Sequence, residues 1–347
     1  MVNIFEERQL QPTPMRSYQL VCSACGKSYN DDGYRLQCDD EHEEAILRTR
    51  YRSENFQVNG QVSGLARYAS WLPLNSPLAP HADKCAVYRS KALAQEIGME
   101  NLWIAFSGYW PERGVRLETG TFKELEASVI MARLPLSAPP AVIASVGNTA
   151  AALARASSLA KRPSIVVVPE SALNRLRFAG KIDSCVKVVC IRQGSYQDSI
   201  DFGKYLCERF GWVWAGGARN VATRDGLATV LLAAYEELGS LPDHYFQAVG
   251  SGAGAIAAWE ASRRLQPSGD QIPTLNLCQN AEFSPILSEM SGRSPRQYNA
   301  QKNGAYHEQA AYADELVNPR PLVRVKGGLH EALADSNGSV RTATAGE

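Results

Sequence analysis

The run Glu118-Thr119-Gly120-Thr121-Phe122-Lys123-Glu124-Leu125 sets a lysine at the mouth of an expected helix, directly after a small-residue turn. Shielded from water, such an amine can condense with an aldehyde, and neighbouring backbone N–H groups can hold anions. Taken alone, the run also suits a solvated surface lysine. A second run, Ala144-Ser145-Val146-Gly147-Asn148-Thr149, follows an apolar stretch and opens an alanine-rich one. It reads as an anion cradle at a helix N-terminus, with Ser145, Gly147 and Thr149 suited to an α-carboxylate and the Asn148 amide to a phenolic oxygen. Plain helix capping by Asn148 or Thr149 accounts for the same residues. A third run, Gly250-Ser251-Gly252-Ala253-Gly254, lies between a strand pattern and a helix pattern, where repeated glycine lets the backbone close around a phosphate. It also satisfies the dinucleotide pattern GxGxxA, but Asp270 falls in the turn Pro267-Ser268-Gly269-Asp270, ahead of the next strand. A phosphate cup fits better than a nicotinamide site.

The three runs together suit one task. An aldehyde cofactor of the pyridoxal phosphate type would join Lys123, seat its phosphate at Gly250–Gly254 and meet Asn148 with its ring oxygen. Substrate amine would displace Lys123, the freed lysine would take the α-proton, and a β-leaving group would give way to a nucleophile. Arg113 and Arg116 stand just before the lysine turn and could pair with an anionic substrate group, or be ordinary surface arginines. The five histidines (His42, His81, His244, His307, His330) lie in no triad-like context, and no HExxH or paired-carboxylate pattern occurs. A leaving group that departs as a stable anion would suit a site so short of histidine.

These residues need a scaffold of alternating strands and helices. The pattern predicts helices over 86–99, 122–134, 149–160, 200–210 and 226–238. It predicts strands over 102–106, 141–144, 165–168, 186–191 and 245–249. Short strands apolar throughout, separated by helices, indicate parallel sheets covered on both faces, hence an α/β protein. The tail from Asp335 to Glu347 is small and polar and reads as frayed.

The 347 residues suffice for two domains, and 36 basic against 36 acidic residues give no basic excess for nucleic acid or an anionic membrane. No apolar run approaches a membrane span, and Met-Val-Asn-Ile-Phe-Glu-Glu-Arg lacks a signal-peptide pattern. The eight cysteines show no compact disulfide spacing, so reduced thiols in a cytoplasmic protein are the simplest reading. Cys22, Cys25, Cys38 and His42 offer four ligands suited to a tetrahedral structural zinc, although a degenerate knuckle that binds nothing fits equally.

The order of these motifs resembles the threonine synthase group of fold-type II (tryptophan synthase β-like) pyridoxal phosphate enzymes. It runs from the CxxC knuckle through Tyr88-Arg89-Ser90-Lys91-Ala92-Leu93-Ala94 and the lysine turn to the asparagine loop and the glycine cup. Within that group the cysteate synthases are the closer match, on Phe122-Lys123-Glu124-Leu125-Glu126-Ala127, Ser107-Gly108-Tyr109-Trp110-Pro111-Glu112, Ala257-Ala258-Trp259-Glu260-Ala261 and Gln279-Asn280-Ala281.

The resemblance implies two parallel-sheet domains behind an N-terminal knuckle-like module. The expected boundaries are 1–50 for the module, 51–122 with 226–347 for the larger domain and 123–225 for the smaller. It implies Lys123 as the Schiff-base lysine, Asn148 at the ring oxygen and residues 250–254 as the phosphate cup. The implied reaction converts O-phospho-L-serine and sulfite into L-cysteate and phosphate through an aminoacrylate, as in coenzyme M biosynthesis, in a homo-oligomer. Family members are expected to continue for several tens of residues past the position of Glu347, and that stretch carries the hydroxyl residue facing the pyridine nitrogen. Two other readings stay open on the sequence: a threonine synthase or related lyase, and an inactive fold member that binds a ligand or partner.

Overall fold

The computed structural model describes residues 18–145, 147–178, 180–266, 268, 271–292 and 311–347. Asp270, the residue weighed for a ribose contact, lies outside them. Three antiparallel strands, β1 (Tyr18–Cys22), β2 (Ser28–Tyr29) and β3 (Leu47–Tyr51), form the N-terminal module in the order β2-β1-β3. β4 (Ala86–Arg89) and β5 (Trp103–Phe106) pair antiparallel around the short helix α1 (Lys91–Glu96), and β6 (Tyr109–Trp110) pairs with β7 (Val115–Arg116). Residues 86–99 are therefore not one helix. Leu93, Ile97 and Met99 suggested a helical face, yet all three are exposed, whereas Val87 and Tyr88 favour the extended chain that pairs with Ala105 and Ile104.

The helix α2 (Lys123–Arg133) leads into a parallel sheet made by β8 (Ala141–Ala144), β9 (Ser164–Pro169), β10 (Val186–Ile191) and β11 (Val213–Trp214), ordered β10-β9-β8-β11. Between its strands run α3 (Asn148–Ala160) and α4 (Tyr196–Phe210). β8 and β9 are buried at every position, as strands covered on both faces must be. Alternation sorts their side chains: Val142, Ala144, Ile165 and Val167 pack with Leu206 of α4, while Ile143, Val166 and Val168 join the main core.

Next comes α5 (Val221–Leu238), buried continuously from Val221 to Ala233. A second parallel sheet follows, β12 (His244–Ala248), β13 (Thr274–Asn280) and β14 (Ser339–Ala343), with α6 (Ala253–Leu265), α7 (Pro285–Met290) and α8 (Leu329–Asp335). The tail expected to be frayed instead supplies β14, in register with Asn276–Asn280. Backbone pairing holds it, which small polar side chains do not advertise. No described helix is long and apolar enough to cross a membrane.

Gly226 lets α5 lie directly on α2, since a Cβ there would stand 2.7 Å from the Leu125 carbonyl oxygen. At the far end of α2, Arg133 is 1% exposed. It donates through Nε and Nη2 to Asp31 at 2.9 and 2.7 Å, and through Nη1 to Asn220, the cap of α5, at 2.7 Å. One buried guanidinium thus joins the N-terminal module to both central helices.

Burial pushes the Asp31 carboxyl up, but the Arg133 hydrogen bonds and charge outweigh it and hold it below the usual range. Asp31→Asn leaves the Arg133 charge buried without its counter-ion, so urea unfolding at neutral pH should show a loss of about 3–5 kcal/mol. A depressed carboxyl stabilises fully above its unfolded value and stops doing so as pH falls through its folded value. The gap between wild type and Asp31→Asn should therefore narrow on acidification below about pH 4.

Candidate active site

The turn before Lys123 is fixed by its own polar groups. Gly120 has φ 69°, and its N–H bonds to the Leu117 carbonyl at 3.0 Å. The Thr119 N–H donates to the Glu124 carboxylate, and the Lys123 N–H donates to Thr121 Oγ1 at 3.3 Å. Burial pushes the Glu124 carboxyl up against the pull of those Thr119 bonds. Glu118 pairs with Arg155 of α3 at 2.6 Å, tying the turn to the helix that follows β8. Lys123 is the first residue of α2. Its Nζ lies 3.1 Å from Glu126 Oε2 and 5.0 Å from the centroid of the Phe122 ring.

Beyond β8, the Ser145 N–H bonds to the Val167 carbonyl at 3.3 Å and the chain turns into α3 at Gly147. Gly147 is the cap residue and no side chain caps this helix, so capping does not account for Asn148 or Thr149. Beyond β12, Gly252 caps α6 with φ 74°, a left-handed conformation that a side chain resists. Gly250 is required by contact, because a Cβ there would stand 2.6 Å from the Leu316 carbonyl oxygen.

These pieces meet in one cleft. It is lined by Phe122 and Lys123, by Ser145, Gly147, Asn148 and Thr149, by Tyr196, by residues 247–254 and by residues 315–318. Four helices begin there, α2 at Lys123, α3 at Asn148, α4 at Tyr196 and α6 at Ala253. Helix dipoles make that convergence attractive to anions, although the Lys123 N–H of α2 already donates to Thr121 Oγ1 and the Asp198 N–H of α4 to Ser195. Among the lining residues Lys123 is the one lysine or arginine and Glu315 the one carboxylate.

Other expected residues lie elsewhere. Thr119 and Thr121 stay in the turn behind Lys123, and neither lines the cleft. Arg113 stacks over Trp110, 5.1 Å from the ring centroid, and the Arg116 backbone is held by Asp83 at 2.9 Å. Neither arginine lines the cleft. Conversely Tyr196, Gln247 and the segment 315–318 line it without having been singled out. The Ser195 and Asp198 capping box marks the start of α4 and so could have flagged Tyr196, whereas residues 315–318 carry no motif. A cavity of 610 Å³ opens elsewhere, beside β3 and α6, but three of its arginines are engaged: Arg264 with Asp225, Arg263 with Asp335 and Arg48 with Glu260.

In the N-terminal module, Cys22, Cys25, Cys38 and His42 offer ligand atoms that all lie within 4.8 Å of one another. The Cys25 and Cys38 sulfurs are 3.7 Å apart, close to the ~3.8 Å that tetrahedral zinc with Zn–S bonds of about 2.3 Å requires. His42 Nδ1 meets the Glu43 carbonyl oxygen at 2.6 Å, which leaves Nε2, 3.3 Å from Cys22 Sγ, for a metal. The donor set fits structural zinc.

A family model described as pyridoxal-phosphate dependent enzyme matches residues 80–341. Cysteate synthase from Methanosarcina barkeri is 39% identical over 331 residues, covering 93% of this chain and 78% of that protein. Cysteate synthase from Methanoculleus marisnigri is 42% identical over 329 residues, covering 92% of this chain and 75% of that protein. Among solved structures, a pyridoxal 5'-phosphate-dependent aspartate racemase aligns with a TM-score of 0.53 at 17% identity, over 75% of this chain and 74% of that one. That likeness speaks for the fold alone. With a lysine, an asparagine loop and a glycine cup gathered at one cleft of a parallel-sheet fold, the chain belongs to the fold-type II pyridoxal-phosphate dependent enzymes, in the cysteate synthase family.

Proposed function

We propose that this enzyme replaces the phosphate of O-phospho-L-serine with sulfite to give L-cysteate, with Lys123 as the lysine that carries pyridoxal phosphate. The observation that carries the reading is the meeting of Lys123, Asn148 and residues 250–254 at one cleft where four helices begin.

The residues fit the cofactor. Gly250 and Gly252 leave bare backbone at the N-terminus of α6, where N–H groups can surround a phosphate, and a lysine amine lines the same cleft. When bound, pyridoxal phosphate supplies an aldehyde for amines and a ring that takes up the electrons left by a departing α-proton. The backbone of residues 250–254 and the Ser251 hydroxyl hold the phosphate, and the Asn148 amide serves the ring oxygen. Ser145, Gly147 and Thr149, at the start of α3, receive the substrate carboxylate. Lys123 Nζ would take the α-proton, and phosphate would leave the β-carbon with the electrons of the C–O bond. The sulfite sulfur would supply the pair for the new C–S bond, and Lys123 Nζ would return the proton to the α-carbon. Helix N-termini neutralise these anions in place of histidines or arginines.

Absorbance titration tests the assignment. Wild-type protein should gain a long-wavelength band with pyridoxal phosphate that O-phosphoserine alters and sulfite restores, with cysteate released. Lys123→Ala should lose the band and about 10²–10⁴-fold in rate. Persistence of the band in Lys123→Ala would refute the lysine. Gly250→Ala forces the backbone at Leu316 aside, and its cofactor affinity should fall by about 1–3 kcal/mol, read by the same titration. In the module, elemental analysis should find one zinc per chain, lost in a Cys25→Ser, His42→Ala double variant, and chelation should lower Tm.

A further inference from the structure

The three acids around the lysine turn have different partners. Glu118 pairs with Arg155, and Glu124 receives the Thr119 N–H. Glu126 is 2% exposed, and its one hydrogen-bond or ion-pair partner among the described residues is Lys123 Nζ, 3.1 Å from Oε2. Its backbone cannot withdraw, because α5 presses on it at Gly226, where a Cβ would stand 2.8 Å from Glu126 Cα. A carboxylate so enclosed needs a partner for its charge. The lysine beside it must shed protons to work, since an ammonium neither condenses with an aldehyde nor accepts an α-proton.

We propose that Glu126 positions Lys123 Nζ at the cleft and exchanges a proton with it, an inference that rests on the reading of Lys123 as the cofactor lysine. The proton leaves Nζ for Oε2, the N–H bond breaks, an O–H bond forms, and nitrogen keeps the electron pair that makes it nucleophilic. The transfer reverses when the lysine is recharged, and nothing is oxidised or reduced. Lysine and glutamate at i and i+3 share a helix face, so the pair travels as a unit on α2.

The test loads cofactor-free protein with pyridoxal phosphate, follows absorbance, quenches aliquots with borohydride and locates the labelled lysine by peptide mass spectrometry. Wild type should label Lys123. Glu126→Gln, similar in size but unable to take the proton, should label Lys123 at least tenfold more slowly and show a smaller share of the long-wavelength band at equal occupancy. Glu126→Asp should recover most of both, a rescue that a merely space-filling role would not produce. Loading of Glu126→Gln at the wild-type rate, or of Glu126→Asp no faster than Glu126→Gln, would overturn the proposal. A label on another lysine in wild type would instead overturn the reading of Lys123 itself. Should Glu126→Gln lack the wild-type circular dichroism spectrum, the comparison of wild type with Glu126→Asp decides: an Asp variant with the wild-type band supports the carboxylate role, and one without it refutes it.

Discussion

The burial of α2 is the constraint on which the rest of the structure depends. Every residue from Glu124 to Arg133 is buried, so the helix is clamped along its length of about 16 Å. α3 and α5 pack against it, and Gly226 lets α5 approach to backbone contact. Its ends do different work. Lys123 opens into the cleft, while Arg133 closes on Asp31 and Asn220. A rigid rod anchored by a bidentate ion pair holds the amine at its other end with little freedom to drift, which is how a scaffold limits the entropy cost of catalysis.

The donors that the cleft offers to an anion come from backbone and neutral side chains more than from charged ones. One amine stands among four helix starts, and hydroxyls and amides supply the remaining donors. Such donors need no reorganisation when an anion arrives, because the folded helices already orient them. They are also sequence-tolerant. Glycine at 250 and 252 answers to close approach and to a left-handed backbone, while Ser145, Thr149 and Ser251 add hydroxyls. The zinc-type ligand set sits apart in the module. Asp31 lies between its ligands Cys25 and Cys38, so the module and the Arg133 anchor share one loop.

Much of this was legible in the residues. The apolar runs at 141–144 and 165–168 marked their strands because a strand buried on both faces leaves a continuous signature. The edge strand 186–191, with Lys187 and Val188 exposed, was marked instead by its valines and isoleucine. The three motif runs were legible because each opens a helix, one after a small-residue turn and two after a strand end. What escaped was carried by long-range contacts. Ala86–Arg89 reads as helix until Trp103–Phe106 pairs with it, and Ser339–Ala343 reads as a loose tail until β13 receives it. Residues 315–318 enter the cleft from a segment that carries no motif, so no side-chain pattern announces them. Arg113 and Arg116 carried the right charge near the right turn, but packing on Trp110 and a bond to Asp83 hold them elsewhere.

The anchor between Asp31 and Arg133 joins positions 102 residues apart. The two Asp31 carboxylate oxygens and the Asn220 amide share one guanidinium. A substitution at either end is therefore transmitted at once to the module, to the cap of α5 and to the helix that carries Lys123.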